Sequence, residues 1–178
     1  MTPTPCPPLS DQDWPEEILD LRAGFAGQLN VYRTMAHHPA LLRAWAPLRQ
    51  HVVKDTTLGA VRSEVVILRT AVRFGSDYEW AHHVSRARAL GISDERIAAL
   101  RGEATGEDGL IARAVDALID DRRLSESLKA ELEPVLGVAG IIDLIATVGF
   151  YSVLGYLLMT YDTPIDDTIV AEMAKAPL

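Results

Sequence analysis

The sequence predicts an all-α fold, a compact multi-helix bundle, on three observations. Apolar residues recur with the period of a helix in several separate stretches. Glycines and capping residues separate these stretches. No run alternates apolar and polar residues for long enough to indicate a strand. Because 178 residues suit one domain with a buried core, we predict a single helical domain over residues 15–178, preceded by a proline-rich arm over residues 1–14.

The first elements are short and interrupted. The arm is expected to be a loose tail or to lie on a neighbouring subunit, because proline-rich polar termini bury little surface. From Pro15 the pattern is helical, with a possible break at Gly24 or Gly27. Pro39 is well placed to open the next helix, in which Pro47 predicts a kink or a boundary.

Two helices follow in the middle of the chain, over residues 61–74 and from Ser76 onward. Gly75 alone separates the two patterns, Ser76 is a suitable N-cap for the second, and Gly91 is a suitable stop. A connection this short makes the two helices neighbours in space.

The remaining elements are also helical. Ser93 begins a short helix that ends in the glycine-rich segment 101–109, and two amphipathic helices follow over residues 109–121 and 125–136. Residues 140–161 approach the length and apolarity of a membrane span. Polar residues interrupt this segment and no basic residues flank it, so we interpret it as a helix buried at the centre of a helical oligomer.

Composition and charge exclude several classes of protein. A formal charge of −8 with 24% charged residues describes a soluble acidic chain, and no basic cluster is dense enough for nucleic acid. The single cysteine, Cys6, fits a reducing compartment. The N-terminus has neither a basic n-region nor an apolar h-region, so we expect a cytoplasmic protein without a membrane partner.

Chemistry is concentrated on the two central helices. Glu64 is the only charge on a face formed by Val61, Val65, Leu68, Ala71 and Val72, so its carboxylate needs a hydrogen-bond donor or a cation as partner. Glu79 and His83 stand at i and i+4 and share a face. We predict that Glu64, Glu79 and His83 are catalytic, and that Ser76 and His82 contact the substrate. His82 points about 100° away from His83.

The sequence of these two helices resembles a known family. The patterns Arg-x-Glu-x-x-x-Leu-Arg, Ser-Asp-Tyr-Glu-Trp-Ala-His-His-Val and Ala-Arg-Ala-Leu-Gly-Ile-Ser-Asp-Glu-Arg-Ile lie within residues 62–97. They are similar to the signature of the carboxymuconolactone decarboxylase family, whose other large branch is the alkyl hydroperoxide reductase D-like proteins. The resemblance implies the helical fold of that group and a homo-oligomer, either a trimer or a hexamer.

One departure separates the chain from the thiol branch of this group. In that branch the Glu is followed by a Cys-x-x-Cys pair and then by a His. Glu64 and His83 hold the Glu and His positions here, whereas Ser76 and Glu79 stand where the cysteines would be. No dithiol can form within one chain, because Cys6 is its single cysteine. The Tyr-Glu-Trp-x-x-His version instead resembles the decarboxylase branch.

The resemblance implies a decarboxylase that acts on a small carboxylated lactone or similar ring without metal or coenzyme. His83 is then the proton donor or the oxyanion partner, Glu79 orients it, and Glu64 tunes both, although the three roles are interchangeable at this stage. The substrate carboxylate needs a cation, for which the candidates are Arg33, Arg62, Arg69 and Arg73.

Three alternatives compete with this interpretation. A peroxidase-like relative that has lost its thiol pair would need another thiol or a bound cofactor. A non-catalytic oligomeric scaffold predicts that no enclosed cavity lies at the three residues. Glu79-x-x-His82 has the spacing used in di-iron bundles, but such sites need that pair twice. We therefore expect no metal site. His37, His38 and His51 are interpreted as structural or solvated.

Overall fold

The computed structural model describes residues 6–178, and every regular element in this range is helical. Residues 1–5, the first part of the predicted arm, lie outside the described residues. The α-helices are α1 (Leu19–Arg22), α2 (Asn30–Met35), α3 (Pro39–Gln50), α4 (Gly59–Phe74), α5 (Asp77–Ala89), α6 (Asp94–Ala99), α7 (Gly106–Asp120), α8 (Glu126–Thr160) and α9 (Asp167–Lys175). Two 3₁₀ turns, Glu16–Ile18 and Phe25–Gly27, and a π-helical turn, His51–Asp55, complete the fold.

The junction of α4 and α5 forms as the sequence predicts. Gly75 ends α4 in the left-handed region with φ 66°, a conformation that glycine adopts without steric cost. Ser76 is the N-cap of α5, and its hydroxyl accepts a hydrogen bond from the Glu79 backbone N–H at 3.4 Å. The two helices pack against each other directly. Glu64 on α4 and Glu79 and His83 on α5 therefore lie on two adjoining helices joined by a short connection.

The N-terminal elements are interrupted where glycines occur. The helical pattern predicted from Pro15 breaks after Arg22 and again around Gly27, so that α1 and α2 are short. The predicted boundary at Pro47 is displaced, since α3 continues through Pro47 to Gln50. Proline removes only its own N–H from the helix, and the change of conformation comes later, in the π-helical turn.

The described part of the arm, residues 6–14, lies along α2 of the same chain rather than as a loose tail. The Leu9 backbone N–H donates to the Arg33 carbonyl, and the Arg33 guanidinium donates to the Leu9 carbonyl and to the Asp11 carboxylate. Trp14 is buried and donates its ring N–H to the Ile18 carbonyl. These contacts use both backbone and side chains, so the arm covers one end of the bundle.

The core surrounds α4, which packs against α5, α7 and α8. One cluster of buried side chains gathers α2, α3, Ile67 of α4 and the second half of α8. A second cluster gathers α4, α5, α6, α7 and both halves of α8, and includes Leu68 and Leu144, which are fully buried. Burial of such side chains contributes roughly 1.5–3 kcal/mol each. Because α4 contributes to both clusters, Glu64 lies in the buried interior of the bundle.

The helix α8 joins two segments that the sequence predicts as separate. The stretches 125–136 and 140–161 form one element with a kink at Gly137, whose φ of 67° is not helical. Among residues 6–178 this is the one helix long and apolar enough to cross a membrane, and 50% of its most apolar window is buried in the fold. Its exposed apolar side chains form a stripe: Val138, Ile142, Ile145, Val153, Tyr156 and Met159.

A buried carboxylate ties α8 to the start of α4. Asp143 accepts hydrogen bonds from the His51 ring at 2.7 Å, from the Thr57 backbone N–H at 2.6 Å, and from the Thr56 and Thr57 hydroxyls. Burial alone would raise the pKa of Asp143, but these hydrogen bonds outweigh it and lower the pKa to about 2. His51, interpreted from the sequence as structural or solvated, thus holds this carboxylate.

Replacing Asp143 with Asn is expected to cost about 2 kcal/mol of unfolding free energy at neutral pH, from the lowered pKa at 1.4 kcal/mol per unit. A carboxylate with a lowered pKa stabilises the fold above its unfolded pKa, and that contribution is lost as pH falls through the folded pKa. The difference between the two proteins should therefore shrink below about pH 4. Urea unfolding at several pH values measures it, with exposed Asp121→Asn as the control. Equal losses for both variants would contradict the prediction.

Candidate active site

Glu64, Glu79 and His83 meet in the interior between α4 and α5. The Nδ1 atom of His83 lies 2.6 Å from Glu64 Oε2, and its Nε2 atom lies 3.4 Å from Glu79 Oε2. All three residues are nearly excluded from solvent, with exposed fractions of 7%, 4% and 4% for Glu64, Glu79 and His83. The partner that the apolar face of α4 demands for Glu64 is therefore His83, and the imidazole is held between two carboxylates.

A cavity of about 130 Å³ opens on one side of this group. Glu79 and His83 belong to its wall, whereas Glu64 stands behind His83 and outside the lining. The walls come from α2, α3, the π-helical turn, α5, α8 and α9, and their polar members are Tyr32, Arg49, Tyr78, Glu79, His82, His83, Ser85, Arg86 and Tyr151. The three residues therefore differ in their access to a ligand. Glu64 makes its hydrogen bond to His83 behind the cavity wall, whereas Glu79 and His83 can contact a ligand in the cavity.

The hydrogen bonding of Glu79 is incomplete. Its Oε1 atom is buried and has no hydrogen-bond partner among residues 6–178. The other oxygen, Oε2, faces His83 Nε2 at a distance longer than that of a strong charge-assisted hydrogen bond. An unsatisfied buried carboxylate oxygen costs free energy. A ligand or water in the cavity would complete this group.

The surroundings of His83 favour its protonated form. Burial pushes the pKa of His83 down, but the negative charge of Glu64, its hydrogen bond and the neighbouring Glu79 together push it up, and the balance lies above the ordinary value. An imidazolium donates from both ring nitrogens, which matches the two carboxylates placed on either side. His83 is thus a buried acid whose Nδ1–H is firmly held by Glu64 and whose Nε2–H is the weaker bound.

Three tyrosines complete the apolar side of the cavity. The Tyr151 ring meets the His83 ring edge-on, with centroids 5.0 Å apart. Burial raises the pKa of Tyr32 to about 12 and raises the pKa of Tyr78 and Tyr151 as well. All three therefore remain neutral phenols near neutral pH, and their rings exclude water from the acid.

His82 has a different environment from His83, although the residues are adjacent. Its Nδ1 faces the Tyr78 carbonyl and its Nε2 faces Asp166 Oδ2, both at 2.8 Å. Asp166 also accepts from the Tyr78 hydroxyl and from the Asn30 backbone N–H. Burial raises the pKa of Asp166, but hydrogen bonds from His82, Tyr78 and Asn30 outweigh it and lower the pKa. His82 lines the cavity, but its ring nitrogens already have partners within the protein.

Ser76 lies outside the cavity lining, because its hydroxyl caps α5. The pair Glu79 and His82 does not converge either, since His82 turns to Asp166. Across residues 6–178, no group of three or more His, Cys, Asp or Glu side chains is arranged to hold a metal ion. His38 caps α3, and His37 contacts the Pro7 carbonyl.

The arginines at the cavity are not those that the sequence suggested. Each of the four candidates makes an ion pair elsewhere: Arg33 with Asp11, Arg62 with Glu107, Arg69 with Asp116, and Arg73 with Asp116 and Asp120. The arginines that line the cavity are Arg49 of α3 and Arg86 of α5. No motif marks Arg49 in the sequence, while Arg86 could have been noticed as the residue at i+3 from His83.

Comparisons with known proteins bear on the family resemblance and on the fold. Residues 39–120 match the sequence model of the carboxymuconolactone decarboxylase family. A search among curated proteins found no match. Among solved structures, an uncharacterized peroxidase-related protein from Silicibacter sp. TM1040 is similar, with a TM-score of 0.78 and 12% identity over 95% of this chain and 96% of that one.

A second similar structure is the debrominase Bmp8. The apo form gives a TM-score of 0.75 with 17% identity over 98% of this chain and 99% of that one. A cysteine-to-alanine variant in complex with 2,3,4-tribromopyrrole gives 0.73 with 16% identity over 98% of both chains. At these identities the likeness establishes the fold. The predicted resemblance to the carboxymuconolactone decarboxylase family is thus confirmed over residues 39–120, the segment that contains Glu64, Glu79 and His83.

Proposed function

We propose that the protein is a cofactor-free decarboxylase, or a closely related proton-transfer enzyme, acting on a small carboxylated lactone or similar ring. The observation that carries the proposal is the buried His83 between Glu64 and Glu79, with Glu79 and His83 on the cavity wall. This arrangement places a proton donor and a carboxylate with an unsatisfied oxygen beside the same ligand space. The family match adds that such chemistry is appropriate to this chain.

The reaction needs an electron sink, and an unsaturated lactone contains its own. When the bond from the ring to the carboxylate breaks, its electron pair moves into the conjugated carbonyl and CO2 leaves. A dienolate remains, which must gain one proton on carbon. His83 Nε2–H is suited to donate that proton because its contact with Glu79 is long. Glu79 Oε2 can then return a proton taken from solvent to the imidazole.

The remaining residues have supporting roles in this proposal. Glu64 fixes the orientation of the His83 ring through Nδ1 and raises the pKa of His83, so it acts as a positioning residue. The tyrosine rings keep water away from the acid, which strengthens its interaction with developing negative charge. This proposal differs from the roles first assigned to the two Glu residues, because it assigns the orientation of His83 to Glu64 and not to Glu79.

Two alternatives have less support. A peroxidase-like role would need another thiol or a bound cofactor, and Cys6 contacts the Thr34 carbonyl and is absent from the lining. A scaffold without catalytic activity predicts no enclosed cavity at these residues, and Glu79 and His83 line a partly enclosed one. The acid–base proposal uses the features of the site that these alternatives leave unexplained.

The test is to incubate the protein with a panel of carboxylated unsaturated lactones in D2O and to follow CO2 release and deuterium incorporation. The proposal predicts that CO2 release is coupled to one deuterium on the product carbon. Activity in Cys6→Ser should equal that of the wild type. Turnover that depends on Cys6 would contradict the proposal. So would the absence of CO2 release and of deuterium incorporation with every lactone of the panel.

We also propose that the enzyme is a cytoplasmic homo-oligomer whose subunits meet along the exposed apolar stripe of α8. Replacing Ile142, 60% exposed, with Glu is expected to reduce the oligomeric mass, because a charge in an apolar interface is poorly compensated. Light scattering after size exclusion measures that mass. Val170→Glu, on α9 and 50% exposed, is the matched control. A wild-type monomer, or an unchanged mass in Ile142→Glu, would contradict the proposal.

A further inference from the structure

Two cationic side chains on the cavity wall have no carboxylate partner within residues 6–178. Arg49 is 8% exposed, and its Nε atom is buried without a hydrogen-bond partner. Its guanidinium lies over the Phe25 ring, 4.2 Å from the centroid, and 5.6 Å from the centroid of Tyr32. Arg86 lines the same cavity from α5. A buried guanidinium without an anion carries a desolvation cost that is not repaid.

Three half-buried arginines of the bundle are paired with carboxylates. Arg69 and Arg73 both pair with Asp116, and Arg88 pairs with Asp94. Arg49 is therefore an exception among the more buried arginines. Aromatic rings stabilise its charge in part, but they do not accept the in-plane hydrogen bonds of a guanidinium. The position calls for an anion that the described chain does not provide.

The balance of charge around the cavity points the same way. Glu64 and Glu79 supply two negative groups, while His83, Arg49 and Arg86 supply three positive ones when His83 is protonated. Among the residues that line the cavity, Glu79 carries the single carboxylate, against the two guanidinium groups of Arg49 and Arg86, and Asp166 lies outside the lining. An anionic ligand would therefore enter a cavity that carries an excess of positive charge.

We propose that Arg49 and Arg86 form the subsite that binds a carboxylate group of the ligand and thereby hold its ring against Glu79 and His83. The identity of the reaction that follows rests on the proposed function, whereas the anion subsite depends only on the contacts of the arginines. Arg49 is then a specificity-determining residue: it selects carboxylated rings over neutral rings of the same shape.

Calorimetric titration with furoate and with its neutral isostere furamide tests this subsite without any turnover. The wild type is expected to bind furoate about 10- to 100-fold more tightly than furamide, as a charge-assisted contact to a buried arginine implies. Arg49→Gln should remove most of this preference. Arg86→Gln, at a half-buried position outside the aromatic packing, should reduce the preference for furoate. This variant replaces Arg49→Gln as the test if Arg49→Gln does not fold. Arg43→Gln, on the same helix as Arg49 but paired with Asp20 at the surface, should keep the preference.

Equal binding of furoate and furamide by the wild type would overturn the proposal, as would a preference that survives in both Arg49→Gln and Arg86→Gln. The result of this binding test is independent of whether the protein catalyses decarboxylation. Glu79→Gln should reduce turnover yet retain the preference for furoate, because the arginines are intact. If the wild type binds furoate selectively but releases no CO2 from any lactone, the anion subsite stands and the proposed reaction fails.

Discussion

Replacing His83 with Gln is expected to lower the turnover of a carboxylated lactone by roughly 10²- to 10⁴-fold, the usual contribution of a positioned general acid. Gln preserves the shape of the contact with Glu64 but has no proton of suitable acidity. The loss should appear in kcat, because His83 acts on the dienolate rather than in binding the carboxylate. Steady-state CO2 release measures it, and deuterium incorporation should fall in parallel.

The controls separate proton transfer from general damage to the fold. Glu79→Gln should reduce kcat by a smaller factor, because it removes the group that returns the proton but leaves the donor in place. His37→Gln, at the exposed contact with the Pro7 carbonyl, should leave kcat unchanged. If His83→Gln retains full kcat while its unfolding curve matches that of the wild type, His83 is not the proton donor.

Replacing Glu64 with Gln is expected to cost about 3–5 kcal/mol of unfolding free energy near neutral pH, as found when one partner of a buried ion pair is removed. The His83 imidazolium would lose its closest anion and remain in an apolar environment. Urea unfolding measures the loss, with exposed Glu133→Gln as the matched control. The double variant with His83→Gln should recover part of the loss, because the imidazolium that lost its closest anion is then absent.

The sign of the pH dependence follows from the raised pKa of His83. A histidine whose folded pKa lies above its unfolded value of 6.5 stabilises the fold fully below that value, and the contribution is lost as pH rises through the folded pKa. The difference in stability between wild type and Glu64→Gln should therefore be largest in mild acid and decrease in alkaline solution. A difference that grows with pH would contradict the paired imidazolium.

The convergence of Glu64, Glu79 and His83 was predictable from the sequence because its geometry is local. Glu64 stood alone on an apolar face, and Glu79 and His83 shared a helical face. A link of one residue, Gly75, left little freedom in how α4 and α5 pack. Their meeting followed from helix periodicity and a short connection, and the observed distances agree with it.

Arg49 at the cavity and Asp166 as the partner of His82 were not predictable, because neither position follows from local sequence. Arg49 reaches the cavity from α3, and nothing in its neighbouring sequence distinguishes it from the other arginines. Asp166 is 84 positions from His82 along the chain, so their contact depends on the path of α8. Contacts of this kind are fixed by tertiary packing alone, and Ser76 shows that a polar residue on the correct face can instead be a helix cap.

The outline of the fold was also predictable, with one exception at α8. Helical periodicity and capping signals indicated all-helical structure throughout, and the described residues contain helices and turns only. Gly137 was consistent with an end of a helix, yet the chain resumes its helix beyond it. Buried apolar side chains on both sides of the kink stabilise the helix, so α8 continues at a glycine where local propensity alone would end it.

The most direct test of this account is the protonation state of His83 in the resting protein, read from the nitrogen-15 shifts of its ring. Signals are assigned by their loss in His83→Gln. We predict an imidazolium, with both nitrogens protonated at pH 7 and a pKa above that of a free histidine, and we predict that Glu64→Gln lowers this pKa. A neutral His83 ring at pH 7 in the wild type would contradict it.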